Sequence, residues 1–396
     1  MLEIPTAREL LELSPVHTRL RAQARDVAAR CADRAGEIRQ HLLDRHEMHP
    51  QLWASFCEHG WPGLVLPAEY GGAEGGLLGM SLVLEAFAER GIVLWMPVLS
   101  SAIAHAIAEA GPQSASRQWC TRVARGQTLL ALAATESHSG HNIFRTRTEI
   151  HRDGDHFVVN GVKQITSGLD AVDRVLVFGR AASGDASKGH TMVLVDPNSP
   201  GVTIRELPMR YREGVRQYQL ELDGVIVAAD GLIGTEGNGL AAMWPFTAVE
   251  RVLTAALCLG SAAYALTSAI GRARERVISG SAPIGANQAI AHPLANLHAR
   301  LAAVRLFVYR TASRFDAGVD AYAVAGEANM AKVLTADLAF DSHDHTMQVM
   351  GVDAWDERQG WIDNYLDARL SRSGPVSNEF ALNFIAEHVL GLPAHT

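Results

Sequence analysis

The sequence predicts an α+β fold in three successive parts: helical, strand-rich, then helical again. Three observations predict it. Helical apolar spacing runs from about Pro15 to Gly126, and it returns after Asn238 and persists to about Leu390. Between these stretches, from Leu129 to about Glu236, short apolar runs alternate with turn sequences, the pattern of a compact barrel or sandwich. No internal repeat, low-complexity tract or long linker breaks this order.

In the first part, Leu82, Leu84, Phe87 and Ala88 fall near one helical face. The stretch GWPGLVLPAEYGG (60–72) interrupts the helices, because its prolines and glycines demand an irregular, rigid loop. In the middle part, Thr146–Arg152 leads into the turn signal Asp153-Gly154-Asp155. His156–Val159 then meets Asn160-Gly161, the strongest short hairpin signal. Further strands are expected at Val175–Phe178, Met192–Val195 and Val202–Ile204, with a turn at Pro197–Gly201 between the last two. In the last part, helices are expected at Leu240–Val277, Asn287–Ala317, Ala321–Met350 and Asn378–Leu390. Pro245, Pro283 and Pro293 are expected to kink or break them.

Composition narrows the function. The 396 residues are 48% hydrophobic and 20% charged, enough for two or three domains with a sizeable core. A net charge of −8 with no basic run excludes nucleic-acid binding, which draws its affinity from clustered Lys and Arg. Cys31, Cys57, Cys120 and Cys258 have neither zinc-ligand spacing nor the density of a disulfide scaffold, which fits a reducing cytosol. The N-terminal MLEIPTARELLELS is charged and does not read as a signal peptide. The most apolar stretch, Val252–Leu266, reads as too short and too broken to span a bilayer. The expectation is a cytoplasmic protein with no membrane partner.

Glu250 stands out as a candidate base. It lies in FTAVERVLTAAL, an otherwise apolar helix, with Phe246, Thr247, Leu253 and Thr254 three and four residues away. A carboxylate on such a face is partly desolvated, which raises its pKa toward the range where a general base works near neutral pH. A structural carboxylate paired with Arg would look the same in sequence. Asp341-Ser342-His343-Asp344-His345 has metal-ligand residue types, but on a helix His343 points away from the other three. A polar helix surface explains it better than a zinc site. The glycine-rich stretch 231–239 lacks the strand–GxGxxG–helix context and reads as the link from sheet to helix.

Six stretches carry a likeness: GWPGLVLPAEYGG (60–72), ALAATE (131–136), DGDHFVVNGVKQITSG (153–168), VERVLTAALCLG (249–260), PIGANQAIAHPLANL (283–297) and DARLSRSGPVSNEFALNFIAEHVLG (367–391). In this order they make the chain resemble the acyl-CoA dehydrogenase family over nearly its whole length. The resemblance implies an N-terminal α-helical domain (1–128), a middle β domain (129–236) and a C-terminal four-helix bundle (237–396). It implies FAD as cofactor and an acyl-CoA or acyl carrier protein thioester as substrate. The implied reaction yields a trans-2-enoyl thioester, with electrons passing to an electron-transfer flavoprotein or another acceptor. A homotetramer or homodimer is implied as well.

The family places its catalytic glutamate either at the position of Glu250 or near the C-terminus, where this chain has Ser373-Gly374-Pro375-Val376-Ser377 and no carboxylate. Glu250 is therefore the catalytic residue that the resemblance implies, and Arg251 beside it is an expected substrate-orienting residue. The implied flavin-binding residues are Thr135, Ile165, Thr166, Ser167, Arg276, Gln288, Gln348, Gly351, Ser377 and Glu379.

The chain also departs from the family. His141 stands where a small serine usually faces the ligand, and is an expected substrate-binding residue that can donate, accept or carry a proton. The segment 161–166 is one residue short of the family pattern and lacks an often aromatic residue. Ser279 replaces an aromatic, Val352 and Ala354 replace glycines, and Leu366 replaces an arginine. Pro375 has no N–H to offer a thioester oxygen. These departures keep two other readings open: a flavin oxidase or monooxygenase on the same fold, and a non-catalytic subunit of a hetero-oligomer.

Overall fold

The computed structural model describes residues 13–32, 34–45, 49–181, 189–209 and 215–394. Most of the charged N-terminal segment discussed above lies outside the described residues. The chain divides into two compact units: Met1–Ile38, Leu77–Leu94 and Arg251–Thr396 form one, and Arg39–Gly76 with Trp95–Glu250 form the other.

The first unit is helical. It contains α1 (Pro15–Ala32), α4 (Gly76–Ala88), α7 (Gln288–Asp316), α8 (Ala321–Met350), α9 (Trp361–Leu370), α10 (Asn378–Phe384) and most of α6 (Gly239–Glu275). Local sequence sets the helix ends. The Asn287 side chain caps α7 by accepting from the Ala289 N–H, and Asp320 caps α8 by accepting from Tyr322 and Ala323. Gly351, at φ 64° and ψ −135°, stops α8 in a conformation open only to glycine. Leu259, Leu266, Leu297, Leu301, Leu338 and Ala368 share one core that joins α6, α7, α8 and α9.

α4 departs from the one-face pattern: every residue from Leu77 to Ala88 is buried. Its N-terminus points at Asp316, whose carboxylate accepts the Leu77 and Leu78 amides at 2.7 and 2.9 Å. It meets α6 at Gly260, where a Cβ would lie 2.5 Å from the Ala88 Cβ.

Pro245 and Pro293 lie inside α6 and α7, in their first two turns, and the helices continue past them; Pro283 lies outside any helix. The expected helix at 378–390 is α10 followed by a π-helical turn, Ile385–Val389. α9 was not expected. α6 is long and apolar enough to cross a membrane by length and composition, unlike the shorter stretch weighed in the sequence, and 67% of its most apolar window is buried in the protein.

The second unit holds α2 (Ala35–Arg45, most of its length), α3 (Pro50–Glu58), α5 (Trp95–Ala110) and a mixed eight-stranded sheet. Its strands are β1 (Leu130–Ala133), β2 (Glu149–Asp153), β3 (His156–Ser167), β4 (Arg174–Arg180), β5 (His190–Val195), β6 (Val202–Leu207), β7 (Gln217–Ala228) and β8 (Leu232–Ile233). Their order is β6-β7-β3-β2-β4-β5-β8, with β1 parallel to β4. β2 and β3 form the expected hairpin, with Asp153 opposite His156 and Gly154 at φ 62° in the turn.

Asn160-Gly161 does not form the expected hairpin. β3 runs through it and shifts register against β7 between Val159 and Gly161. The Asn160 side chain accepts the Gly224 N–H at 2.7 Å, so it serves the irregularity in the facing strand. Gly161 is needed for close approach, since a Cβ there would lie 2.5 Å from the Thr148 Oγ1. β7, the longest partner of β3, was not expected from the sequence.

Candidate active site

In the strand-rich unit, the expected flavin residues gather where β1 and β3 end. The Gln164 N–H donates to the Thr135 carbonyl at 2.8 Å, which ties the chain after β1 to β3. Between Lys163 and Thr166, two residues of β3 oppose one of β7, so Gln164 and Ile165 form a bulge. Ile165 has φ 56°, the sole positive φ at a non-glycine among the described residues, and it is 45% exposed. For a β-branched residue this is a strained backbone. The Thr166 Oγ1 is buried and finds no partner among the described residues. The Ser167 Oγ donates to the Gln217 Oε1 at 3.0 Å.

A buried ion pair, absent from the sequence reading, underlies this edge. The Lys163 Nζ is 2.8 Å from the Glu136 Oε1, and it also donates to the Ala134 carbonyl at 3.1 Å and the Thr146 Oγ1 at 3.0 Å. The Glu136 carboxylate accepts in addition from the Thr148 Oγ1 and from the Arg147 and Thr148 amides. Burial alone would raise its pKa, but the Lys163 charge and these donors hold it down at about 2. Burial pulls Lys163 down to about 8 against the pull of Glu136. The His138 Nε2 lies 3.3 Å from the Glu136 Oε2. His141 is exposed on the same loop.

In the helical unit, Arg276 and Gln288 are exposed at either end of the loop joining α6 to α7, which the Ile284 N–H closes onto the Arg276 carbonyl at 2.8 Å. Ser279 is exposed in the same loop. Gln348 is exposed in the last turn of α8, and Gly351 follows it. Val352 is 83% exposed, so its side chain does not fill the space a glycine would leave, whereas Ala354 is buried. A groove of about 870 Å³ lies between α6 and α7, lined by Ala273, Arg274, Leu294 and His298 among others, and no carboxylate lines it.

Ser377 caps α10 by accepting from the Phe380 N–H at 3.2 Å, and Glu379 is exposed in the first turn. Behind them, Lys332 of α8 is fully buried and donates to the Asn378 Oδ1 at 2.7 Å. This contact too was missed in the sequence, although a signal was present. The chain has three lysines among its 35 basic residues, Lys163, Lys188 and Lys332, and the two that are described are both wholly buried. Lysine is almost never fully buried unless paired.

Glu250 is 7% exposed on α6, in a run from Ala248 to Gly260 where only Arg251 is not buried. Thr254, one turn further on, is fully buried, and its Oγ1 finds no partner among the described residues. The acidic and histidine stretch of α8 is otherwise engaged: Asp341 pairs with Arg300 at 2.8 Å, and the buried His343 meets the Ser261 Oγ at 2.9 Å, with its pKa pulled down to about 4 by burial.

Three family models match in succession: "Acyl-CoA dehydrogenase, N-terminal domain" over residues 14–127, the middle domain over 131–225 and the C-terminal domain over 237–390. The acyl-CoA dehydrogenase FadE12 of Mycobacterium tuberculosis is 34% identical over 359 residues, which cover 89% of this chain and 92% of the relative. Among solved structures, a glutaryl-coenzyme A dehydrogenase in complex with glutaryl-CoA superposes with a TM-score of 0.90 at 22% identity, covering 96% of this chain and 97% of the other. The FAD complex of PigA superposes with a TM-score of 0.87 at 21% identity, covering 96% and 98%. The chain belongs to the acyl-CoA dehydrogenase family.

Proposed function

We propose that this oxidoreductase converts an acyl-CoA thioester to its trans-2-enoyl thioester, with FAD as cofactor and Glu250 as the base that removes the alpha proton. The observation that carries the proposal is the placement of Glu250: a nearly buried carboxylate in a run of apolar residues on α6. A carboxylate held near the reacting carbon is the group that can take up the alpha proton. The three domains are those of the family, 1–128, 129–236 and 237–396.

FAD, when bound, supplies at N5 the acceptor for the beta hydride. The chain supplies the rest. Thr135, Ile165, Thr166 and Ser167 hold the cofactor from the strand-rich unit, and the unsatisfied Thr166 hydroxyl fits a polar ligand atom there. Arg276, Gln288, Gln348, Gly351, Ser377 and Glu379 are the further cofactor-binding residues that the family resemblance implies, the first two reaching the cofactor of a neighbouring subunit in a homo-oligomer. Arg251 and His141 orient the substrate. The proton from the alpha carbon goes to the Glu250 carboxylate, the hydride leaves the beta carbon, and the new double bond lies between them. The electrons leave to a flavoprotein carrier.

The name of the 34% identical relative, acyl-CoA dehydrogenase FadE12, favours a CoA thioester over a carrier-protein thioester. The test is the visible spectrum of the protein purified without added flavin, then mixed anaerobically with butyryl-, isobutyryl-, octanoyl- and palmitoyl-CoA. Bleaching of a flavin band, with a product two hydrogens lighter, supports the reading. A colourless protein that FAD does not reconstitute contradicts it.

A further inference from the structure

We propose that Lys332 is a positioning residue for the turn between α9 and α10: its ammonium, acting through Asn378, holds the turn in the conformation that presents Ser377 and Glu379. The role rests on the reading of that turn as a cofactor contact. The geometry is a four-membered relay. The Lys332 Nζ donates to the Asn378 Oδ1 at 2.7 Å, the Asn378 Nδ2 donates to the Asp337 Oδ1 at 2.9 Å, and the Arg372 Nε lies 2.8 Å from the same Asp337 oxygen. The Asn378 backbone N–H closes the turn onto the Arg372 carbonyl at 2.9 Å.

Lysine can only donate and aspartate can only accept, so the Asn378 amide has one orientation here. An aspartate at 378 would face Asp337 with a second negative charge, and leucine would leave both charged neighbours without the bridge. The position also selects lysine over arginine. This chain uses arginine for nearly all its cations, yet it places a lysine at this fully buried position, which suits a compact point charge rather than a planar fork. Ser377 is the cap of α10 and Glu379 its second residue, so the orientation of Asn378 sets where both point.

Burial pulls the Lys332 pKa down to about 8, and four charged or titratable groups face it: Arg251 and Cys258 on α6, Asp337 on α8 and Glu379 on α10. The ammonium is therefore present at neutral pH and lost as pH rises through about 8.

The test compares full-length wild type with Lys332→Met. Amide hydrogen exchange over residues 372–380 is read without flavin, and FAD affinity is read by fluorescence from pH 6 to 9.5. In Lys332→Met, exchange in the turn rises about tenfold or more, while exchange in α7 is unchanged. FAD binds about tenfold or more weakly at pH 7. Wild-type affinity falls as pH passes about 8; that of Lys332→Met stays flat, and a Cys258→Ala control keeps the wild-type step. If Lys332→Met does not fold, Asn378→Leu breaks the same bridge and is read in the same way. Wild-type affinity and exchange in a folded variant overturn the role of Lys332 and leave the flavin reading standing. A wild type that takes up no FAD overturns both.

Discussion

Lys163 and Glu136 form a buried ion pair, Nζ to Oε1 at 2.8 Å, and close to it along the chain lie Thr135, next to Glu136, and Ile165, two residues after Lys163, both among the residues that the family resemblance assigns to the flavin. The pair ties the loop after β1 to the strained end of β3. A cation without Glu136, or a carboxylate without Lys163, would be a buried charge lacking its main partner.

Stability should therefore fall in acid in a defined window. The Glu136 pKa is lowered to about 2 in the fold, against about 4.3 for a free side chain. The carboxylate thus contributes stability above the unfolded value, and that stability is lost as pH falls toward 2. Glu136→Gln should cost roughly 3–5 kcal/mol at pH 7, because Lys163 stays buried. It should also flatten the acid dependence. Urea unfolding at pH 7, 4 and 3 checks both; an unchanged acid slope in the variant would show that the pair does not carry it.

Ile165→Gly should separate stability from cofactor binding. The left-handed backbone at φ 56° costs an L-residue roughly 1–2 kcal/mol that glycine does not pay. The variant should be more stable without flavin by up to about 1 kcal/mol, once the added flexibility of the unfolded chain is allowed for. It should also bind FAD more weakly, because the exposed apolar side chain is gone. Paired urea melts and FAD titrations read the two effects, and a variant that is both less stable and equally tight would refute this account of the strain.

The two glycines of the irregular β3–β7 ladder should respond unequally. At Gly161 a Cβ would meet the Thr148 Oγ1 at 2.5 Å and its Cα at 2.7 Å, so Gly161→Ala should cost roughly 2–4 kcal/mol. At Gly224, φ 62°, nothing lies within 4 Å, and Gly224→Ala should cost only about 1 kcal/mol. Equal losses in chemical denaturation would mean that close approach is not what Gly161 provides.

Much of this was legible in the sequence, for physical reasons. α8 was read with its observed ends because Asp320 and Gly351 are strong local start and stop signals that need no tertiary partner. Glu250 was legible as a candidate because a carboxylate in an otherwise apolar helix stands out. The hairpin expected at Asn160-Gly161 failed because the same dipeptide that makes a tight turn also suits a bulge, and only the packing of Thr148 and Gly224 decides between them. α4 reads as one-sided in the sequence because Leu82, Leu84, Phe87 and Ala88 fall near one face, whereas a helix apolar all round is one buried all round. Lys163 and Lys332 were passed over because a lysine reads as solvent-facing by default, and their partners lie 27 and 46 residues away.

The most direct test of the central claim is the rate of anaerobic flavin bleaching in Glu250→Gln, loaded with FAD to the wild-type level and mixed with the acyl-CoA that bleaches wild type. Loss of a general base should slow the reaction by about 10²–10⁴-fold while FAD content and thermal stability stay close to wild type. Bleaching of Glu250→Gln at the wild-type rate would contradict the assignment and place the base elsewhere in the chain.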